Sequence, residues 1–224
     1  KIFIPMAGRG TRLRPFTLSR PKPLLEIIDK PIVEHLIDQI TSTLSSEIEE
    51  IVYILGEEAY FDSTVVDSLT LISKKYNAKT KVYRQLDKLG TGHAIMCAEE
   101  SLSGPAIIAY ADTMIQGKIE IDLKADGMIW VKKVEDPSSY GVVNLDEEHN
   151  IKELIEKPKD FVSDLAVVGI YYFKESSFLR DELKSHLKEN LIHLCNTIQF
   201  PIRSESYNNI LIFRIIAYCI SKKI

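Results

Sequence analysis

The chain has 224 residues, 45% hydrophobic and 27% charged, the balance of a soluble globular protein with room for one sizeable core. A formal net charge of -4 argues against a general nucleic-acid or anionic-membrane surface and still leaves room for a local basic pocket. Cys97, Cys195 and Cys219 are odd in number and lack CxxC spacing, which suggests neither a disulfide framework nor a zinc site and fits a reducing cytoplasm.

The opening apolar run, residues 1–6, is too short for a secretory leader and passes straight into a glycine-rich turn. It reads as a strand over residues 2–5. A helix follows over 31–44, with Pro31 in its first turn and Ile32, Leu36, Ile40 and Leu44 along one face. Strands at 51–55, 81–84, 106–110 and 128–134 alternate with helical patterns at 58–76 and 91–102. This βαβα order predicts an α/β fold with a mostly parallel sheet and helices on both faces. Ligands of such sheets bind beyond the carboxyl ends of the strands.

From residue 141 the texture becomes antiparallel, with strands at 141–145, 151–155 and 166–173 and a turn over 146–150. No repeat or low-complexity linker divides the chain, so one domain is expected over 1–185. The remainder, 186–224, is a tail of unassigned structure packed on the same domain. Its apolar stretch 210–220 carries Arg214 and falls short of the ~20 residues that span a bilayer, so no membrane partner is expected.

The first strand ends in Met6-Ala7-Gly8-Arg9-Gly10-Thr11-Arg12-Leu13-Arg14-Pro15. Two glycines one residue apart let the backbone turn tightly and bring its N–H groups to an anion. Arg9, Arg12 and Arg14 add positive charge there, and Pro21-Lys22-Pro23 holds an ammonium group on a stiff segment. The Walker string is absent, and the dinucleotide fingerprint fails because Leu13 stands where a third glycine or alanine belongs. Taken alone, the loop reads equally well as a strand-to-helix turn with solvated arginines.

The longer string decides between these readings. Gly8-Arg9-Gly10-Thr11-Arg12-Leu13-Arg14-Pro15, Pro21-Lys22-Pro23-Leu24-Leu25 and Lys30-Pro31-Ile32 closely resemble the sugar-1-phosphate nucleotidyltransferase family, typified by glucose-1-phosphate thymidylyl- and uridylyltransferases. The resemblance runs through several motifs over about residues 1–174. It implies a Rossmann-like nucleotide-diphospho-sugar transferase fold with a small antiparallel sugar-binding extension. It also implies joining of a nucleoside triphosphate to a sugar 1-phosphate, with Mg²⁺ as cofactor.

Carried over residue by residue, the resemblance gives Ala7, Gly8, Gly10, Thr11 and Arg12 to the triphosphate and Lys22 to the reacting phosphates. Nucleotidyl transfer is catalysed mainly by positioning and by cationic stabilisation of phosphate oxygens, which suits these residues. Gln85 and Gly90, five residues apart, match the family's base contacts, with Thr91 beside them; an amide donates and accepts, as a base edge requires. Leu89-Gly90-Thr91-Gly92-His93-Ala94 resembles the uridylyltransferases acting on N-acetylglucosamine 1-phosphate, and His93 falls at the start of a helix.

Asp112 ends a strand that reads as buried, where an unpaired carboxylate is costly, and it matches the family's Mg²⁺ ligand. Tyr140-Gly141-Val142-Val143 and Glu156-Lys157-Pro158 resemble the sugar side: the Gly141 amide and Glu156 meet sugar hydroxyls, and Lys157 pairs with the sugar phosphate. Val167 stands where glucose-1-phosphate thymidylyltransferases carry valine and the N-acetylglucosamine enzymes carry asparagine.

The expected substrates are therefore UTP or dTTP with glucose 1-phosphate. Mannose-1-phosphate guanylyl and N-acetylglucosamine-1-phosphate uridylyl specificity stay open, as does a homo-oligomeric state. The family's second metal ligand, often an aspartate in a Trp-x-Asp-x-Gly-Thr-like segment, has no recognisable counterpart. The last aspartate is Asp181, and Asn208 and Asn209 are weak substitutes. A nucleotide- or sugar-nucleotide-binding regulatory protein is the alternative. A phosphocholine-type cytidylyltransferase is disfavoured by Glu156-Lys157-Pro158.

Overall fold

The computed structural model describes residues 1–42, 44, 46–113, 121, 122, 124–147, 150–186 and 215–219. The chain runs from β1 (Ile2–Pro5) through a short hairpin, β2 (Glu26–Ile27) and β3 (Lys30–Pro31), into α1 (Ile32–Thr41). β4 (Glu50–Leu55), α2 (Ser63–Lys74), β5 (Lys79–Arg84), α3 (Thr91–Met96) and β6 (Ala106–Ala109) follow. Then come β7 (Gly127–Lys133), β8 (Gly141–Leu145), β9 (Ile151–Glu156), β10 (Leu165–Phe173), α4 (Ser176–His186) and β11 (Ile215–Cys219).

The main sheet has the order β11-β7-β10-β6-β1-β4-β5. β1 lies parallel to β4 and β6, and β4 lies parallel to β5. β10 inserts antiparallel between β6 and β7, and β8 pairs with β10 through Ala166 and Val142. The α/β fold is as expected. The antiparallel section is not a separate appendage, because β10 belongs both to the main sheet and to the β8–β9 hairpin.

Strand alternation assigns the faces. Ile2, Ile4, Ile51 and Tyr53 pack with Leu36, Ile37 and Ile40 of α1 and Val65, Leu69 and Ile72 of α2. Phe3, Val52 and Ile54 point the other way, onto Ala94 and Ile95 of α3 and Leu179 and Leu183 of α4. Each fully buried Leu or Ile contributes about 1.5–3 kcal/mol, so both helix layers are held by apolar burial.

Helix bounds differ from expectation for local reasons. Pro31 ends β3 with ψ 147, so α1 starts one residue later. α2 starts at Ser63 because Asp62 caps it, its Oδ1 accepting from the Thr64 and Val65 amides at 3.0 and 3.2 Å. The pattern expected over 91–102 breaks at Ala98 (φ -107, ψ 29) and continues as a short 3₁₀ turn, Glu99–Ser101.

α4 lies in a stretch for which no helix is expected from sequence. The turn at 146–150 is closed by Asp146 and Asn150, Asn150 N donating to Asp146 Oδ1 at 2.7 Å; residues 148 and 149 lie outside the described residues. Within the tail, β11 pairs parallel with β7. Arg214, Asn208, Asn209 and Cys195 lie outside the described residues. Among those described, no helix is long and apolar enough to cross a membrane.

Candidate active site

β1 delivers the glycine loop to the carboxyl end of the sheet, Met6 N donating to Ile54 O at 2.8 Å to keep the chain against β4. Gly10 then takes φ +61, a conformation that side chains rarely adopt. A Cβ there would lie 3.0 Å from Lys22 Cβ and 3.1 Å from Thr17 Cγ2. Thr17 Oγ1 donates to Gly10 O at 2.9 Å, and Tyr60 OH donates to Thr17 O at 2.6 Å. Burial pushes the Tyr60 hydroxyl pKa up, against the opposing pull of the Arg9 guanidinium. Thr11 and Arg12 stand exposed on the 3₁₀ turn that follows, Thr11–Leu13.

A cavity of about 320 Å³ opens between this loop and the ends of β4 and β5. Ala7, Gly8 and Arg9 form one wall, Gly56, Glu57 and Phe61 another. Gln85, Gly90 and Thr91 close the far side, with Tyr110 nearby. Gly56 admits no side chain: a Cβ would lie 2.7 Å from Ala7 O. Arg84 Nη1 donates to Gly56 O at 3.0 Å, which fixes that corner. Arg9 Nη2 meets Glu57 Oε2 at 2.5 Å across the cavity edge, and its guanidinium lies 5.8 Å from the Tyr60 ring centroid.

Gln85 continues β5 by one residue, its backbone N donating to Leu55 O at 2.7 Å. Its side-chain Nε2 donates to Gly90 O at 3.0 Å and lies 3.2 Å from His93 Nδ1. Gly90, at φ +100, precedes α3 as its N-cap. The structure therefore brings Ala7, Gly8, Gln85, Gly90 and Thr91 to one cavity. Gly10 shapes the loop behind it, and Thr11, Arg12, Lys22 and Asp112 do not line it.

Lys22 lies in a 3₁₀ turn, Lys22–Leu24, between the buried prolines Pro21 and Pro23. Its Nζ is 3.0 Å from Asp112 Oδ2, the two side chains being 29% and 58% exposed. The expectation of a buried Asp112 is thus corrected. β6 ends at Ala109, and Tyr110 O accepts from Thr113 N at 3.0 Å, so a turn lifts Asp112 out of the core. Tyr110 N donates to Gly169 O at 3.1 Å and Thr113 Oγ1 to Val168 O at 3.2 Å, which ties this turn to β10. Gly169 has φ +89, and a Cβ there would lie 2.6 Å from Tyr110 Cδ2.

Gly141 pairs with Glu156 across β8 and β9. Lys157 follows at φ +46, its N donating to Tyr140 O at 3.0 Å, and its Nζ lies 3.9 Å from Glu156 Oε1. Val167 faces Val131 in the β10–β7 ladder and packs at the edge of the apolar core. These four residues sit on the antiparallel section and do not line the cavity.

Among the described residues no group of three or more His, Cys, Asp or Glu side chains is placed to hold a metal. Mg²⁺ is commonly held by one or two carboxylates completed by phosphate oxygens and water, so the exposed oxygens of Asp112 fit that hard cation as one ligand. Arg9 was read from sequence only as positive charge beside the glycine loop, and Gly56, Glu57, Phe61 and Tyr110 were given no role. Arg9 carried a signal, its charge beside the glycines, whereas the others acquire their place only when β1, β4 and β6 lie side by side.

The family profile described as nucleotidyl transferase matches residues 3–198. The bifunctional protein GlmU of Methanococcus maripaludis is 34% identical over 174 residues, 77% of this chain and 39% of that protein. A mannose-1-phosphate guanylyltransferase catalytic subunit beta from Drosophila melanogaster is 33% identical over 193 residues, 82% of this chain and 51% of that one. This chain thus spans about half or less of the length of these relatives. A UDP-glucose pyrophosphorylase solved with UDP-glucose superposes with a TM-score of 0.73 at 25% identity, covering 97% of this chain and 89% of that one.

Proposed function

Because the chain belongs to the nucleotidyl transferase family, among its sugar-1-phosphate members, we propose that it joins a nucleoside triphosphate to a sugar 1-phosphate and releases pyrophosphate. The observation that carries this is the gathering of Ala7, Gly8, Gln85, Gly90 and Thr91 around one cavity at the carboxyl ends of β4 and β5. UTP or dTTP and glucose 1-phosphate are the substrates this reading favours, on Gln85 and Val167.

In the proposed reaction a sugar-phosphate oxygen attacks the α-phosphorus in line. The bond from that phosphorus to the bridging oxygen breaks, and pyrophosphate leaves with the electron pair. The attacking oxygen is already anionic, so no general base is required. The loop amides of Gly8 and Gly10 hold the triphosphate, and Arg12 and Lys22 offset charge on its oxygens. Mg²⁺ bound at Asp112 would add Lewis-acid stabilisation and orient the phosphates. Gly141 and Glu156 receive the sugar hydroxyls and Lys157 the sugar phosphate. The two-part layout, 1–185 as the transferase domain and the tail against it, belongs to the same proposal.

A second reading, guanylyl transfer to mannose 1-phosphate, is favoured by the 33% identity to the Drosophila subunit. Pyrophosphate release should be followed with UTP, dTTP and GTP, each with glucose, N-acetylglucosamine or mannose 1-phosphate. Turnover confined to UTP or dTTP with glucose 1-phosphate supports the favoured substrates, and GTP with mannose 1-phosphate supports the second reading. Triphosphate binding without turnover for any pair leaves a regulatory binding protein.

A further inference from the structure

The Gln85 amide is held by its own chain in a way that limits what it can offer a ligand. Gly90 O lies 3.0 Å from one terminus of the amide, and a carbonyl only accepts, so that terminus is the nitrogen. The same nitrogen lies 3.2 Å from His93 Nδ1, which therefore accepts and places the imidazole N–H on Nε2. A primary amide has two hydrogens, and Gly90 O and His93 Nδ1 use both. Only Oε1 is left to face the cavity, so the residue presents an acceptor there and no donor.

We propose that His93 is a positioning residue for base selection. By accepting the second N–H of an amide that Gly90 O already orients, it leaves only Oε1 for the base, so the site selects bases that carry a ring N–H on their pairing edge. This rests on the reading that Gln85 faces the base. Uracil, thymine and guanine have such an N–H, whereas cytosine and adenine present a bare ring nitrogen at that place. Turning the amide over to suit cytosine would set Oε1 against Gly90 O, two acceptors with no proton between them, whichever ring nitrogen of His93 carries the hydrogen. His93 is separated from Gln85 by eight residues and from Gly90 by three, so the first turn of α3 carries the lock.

The test is the ratio of Kd values for UTP and CTP, measured by calorimetric titration of the purified chain. His93→Phe keeps a ring and removes the acceptor. His93→Asn keeps an acceptor close to the Nδ1 position. The parent and His93→Asn should prefer UTP by about tenfold or more, while His93→Phe should narrow that preference by about tenfold. UTP affinity should fall less than CTP affinity rises, a pattern that general loosening of α3 does not produce. His93→Leu repeats the measurement should the phenylalanine variant fail to fold. An unchanged ratio in His93→Phe alongside a collapsed ratio in Gln85→Leu would overturn the role of His93 while leaving Gln85 at the base. An unchanged ratio in Gln85→Leu as well would overturn the reading of Gln85 and the proposal with it.

Discussion

The Lys22 ammonium lies 3.0 Å from Asp112 Oδ2, joining residues 90 apart in sequence. Lys22 reaches this place because Gly10, which lacks a Cβ, lets the loop close down on the lysine stem. The pair therefore couples the loop after β1 to the turn after β6. Both partners are exposed enough that the bond itself is worth only about 0–1 kcal/mol to folding.

Lys22→Ala should accordingly leave the melting temperature nearly unchanged while lowering kcat by about 10²–10³-fold, the usual loss when one charge-stabilising group is removed. Steady-state pyrophosphate release and a thermal melt on the same sample check both halves. Parental kcat in Lys22→Ala would remove Lys22 from the reacting centre.

Asp112→Asn keeps the shape of the side chain and removes its charge. The proposed role as a Mg²⁺ ligand predicts a clear rise in the Mg²⁺ concentration needed for half-maximal activity. Mn²⁺ binding followed by electron paramagnetic resonance, in the presence of a non-hydrolysable triphosphate, gives a readout independent of turnover. Equal metal affinity in parent and variant would place the metal elsewhere.

Gly169→Ala should cost about 1–3 kcal/mol, because the new Cβ meets the Tyr110 ring at 2.6 Å while the backbone sits at φ +89. The shift of Tyr110 should also weaken triphosphate binding, since that ring lines the cavity. Chemical denaturation and nucleotide titration read the two effects separately.

Glu175 gives a pH-dependent prediction. Its pKa is lowered from the ordinary glutamate value by hydrogen bonds from Ser177, through its side chain and its backbone N–H, and from the Gly104 N–H. A carboxylate with a lowered folded pKa stabilises the fold above its unfolded pKa of about 4.3, and that contribution is lost as pH falls through the folded value. Glu175→Gln keeps an acceptor oxygen and removes the charge, so it should be less stable than the parent at pH 7, with the gap closing under acid. A gap that stays constant down to pH 3 would contradict this.

Much of the fold was legible because its signals are local. The alternation of Ile2, Phe3 and Ile4, and the spacing of Leu36 and Ile40, already state which faces are buried. Gln85 and Gly90 were singled out together only through the family resemblance, and the structure joins them by the bond from Gln85 Nε2 to Gly90 O. α4 was not readable: it opens on two serines, buries Leu179 and Leu183, and leaves Phe178 exposed, so its apolar face is narrow. Asp112 was misjudged as buried because strand patterning gives no sign of the turn that starts after Ala109. Gly56 and Glu57 reach the site through the parallel pairing of β1 with β4, a contact across about fifty residues that leaves no local mark.

The decisive measurement is the simultaneous quantification of pyrophosphate and nucleoside diphosphate sugar after mixing the chain with UTP, glucose 1-phosphate and Mg²⁺. Nucleotidyl transfer yields the two products in a one-to-one ratio, with both reduced together in Lys22→Ala. Phosphate in place of pyrophosphate, or triphosphate bound with neither product formed across the sugar and nucleotide panel, would contradict it.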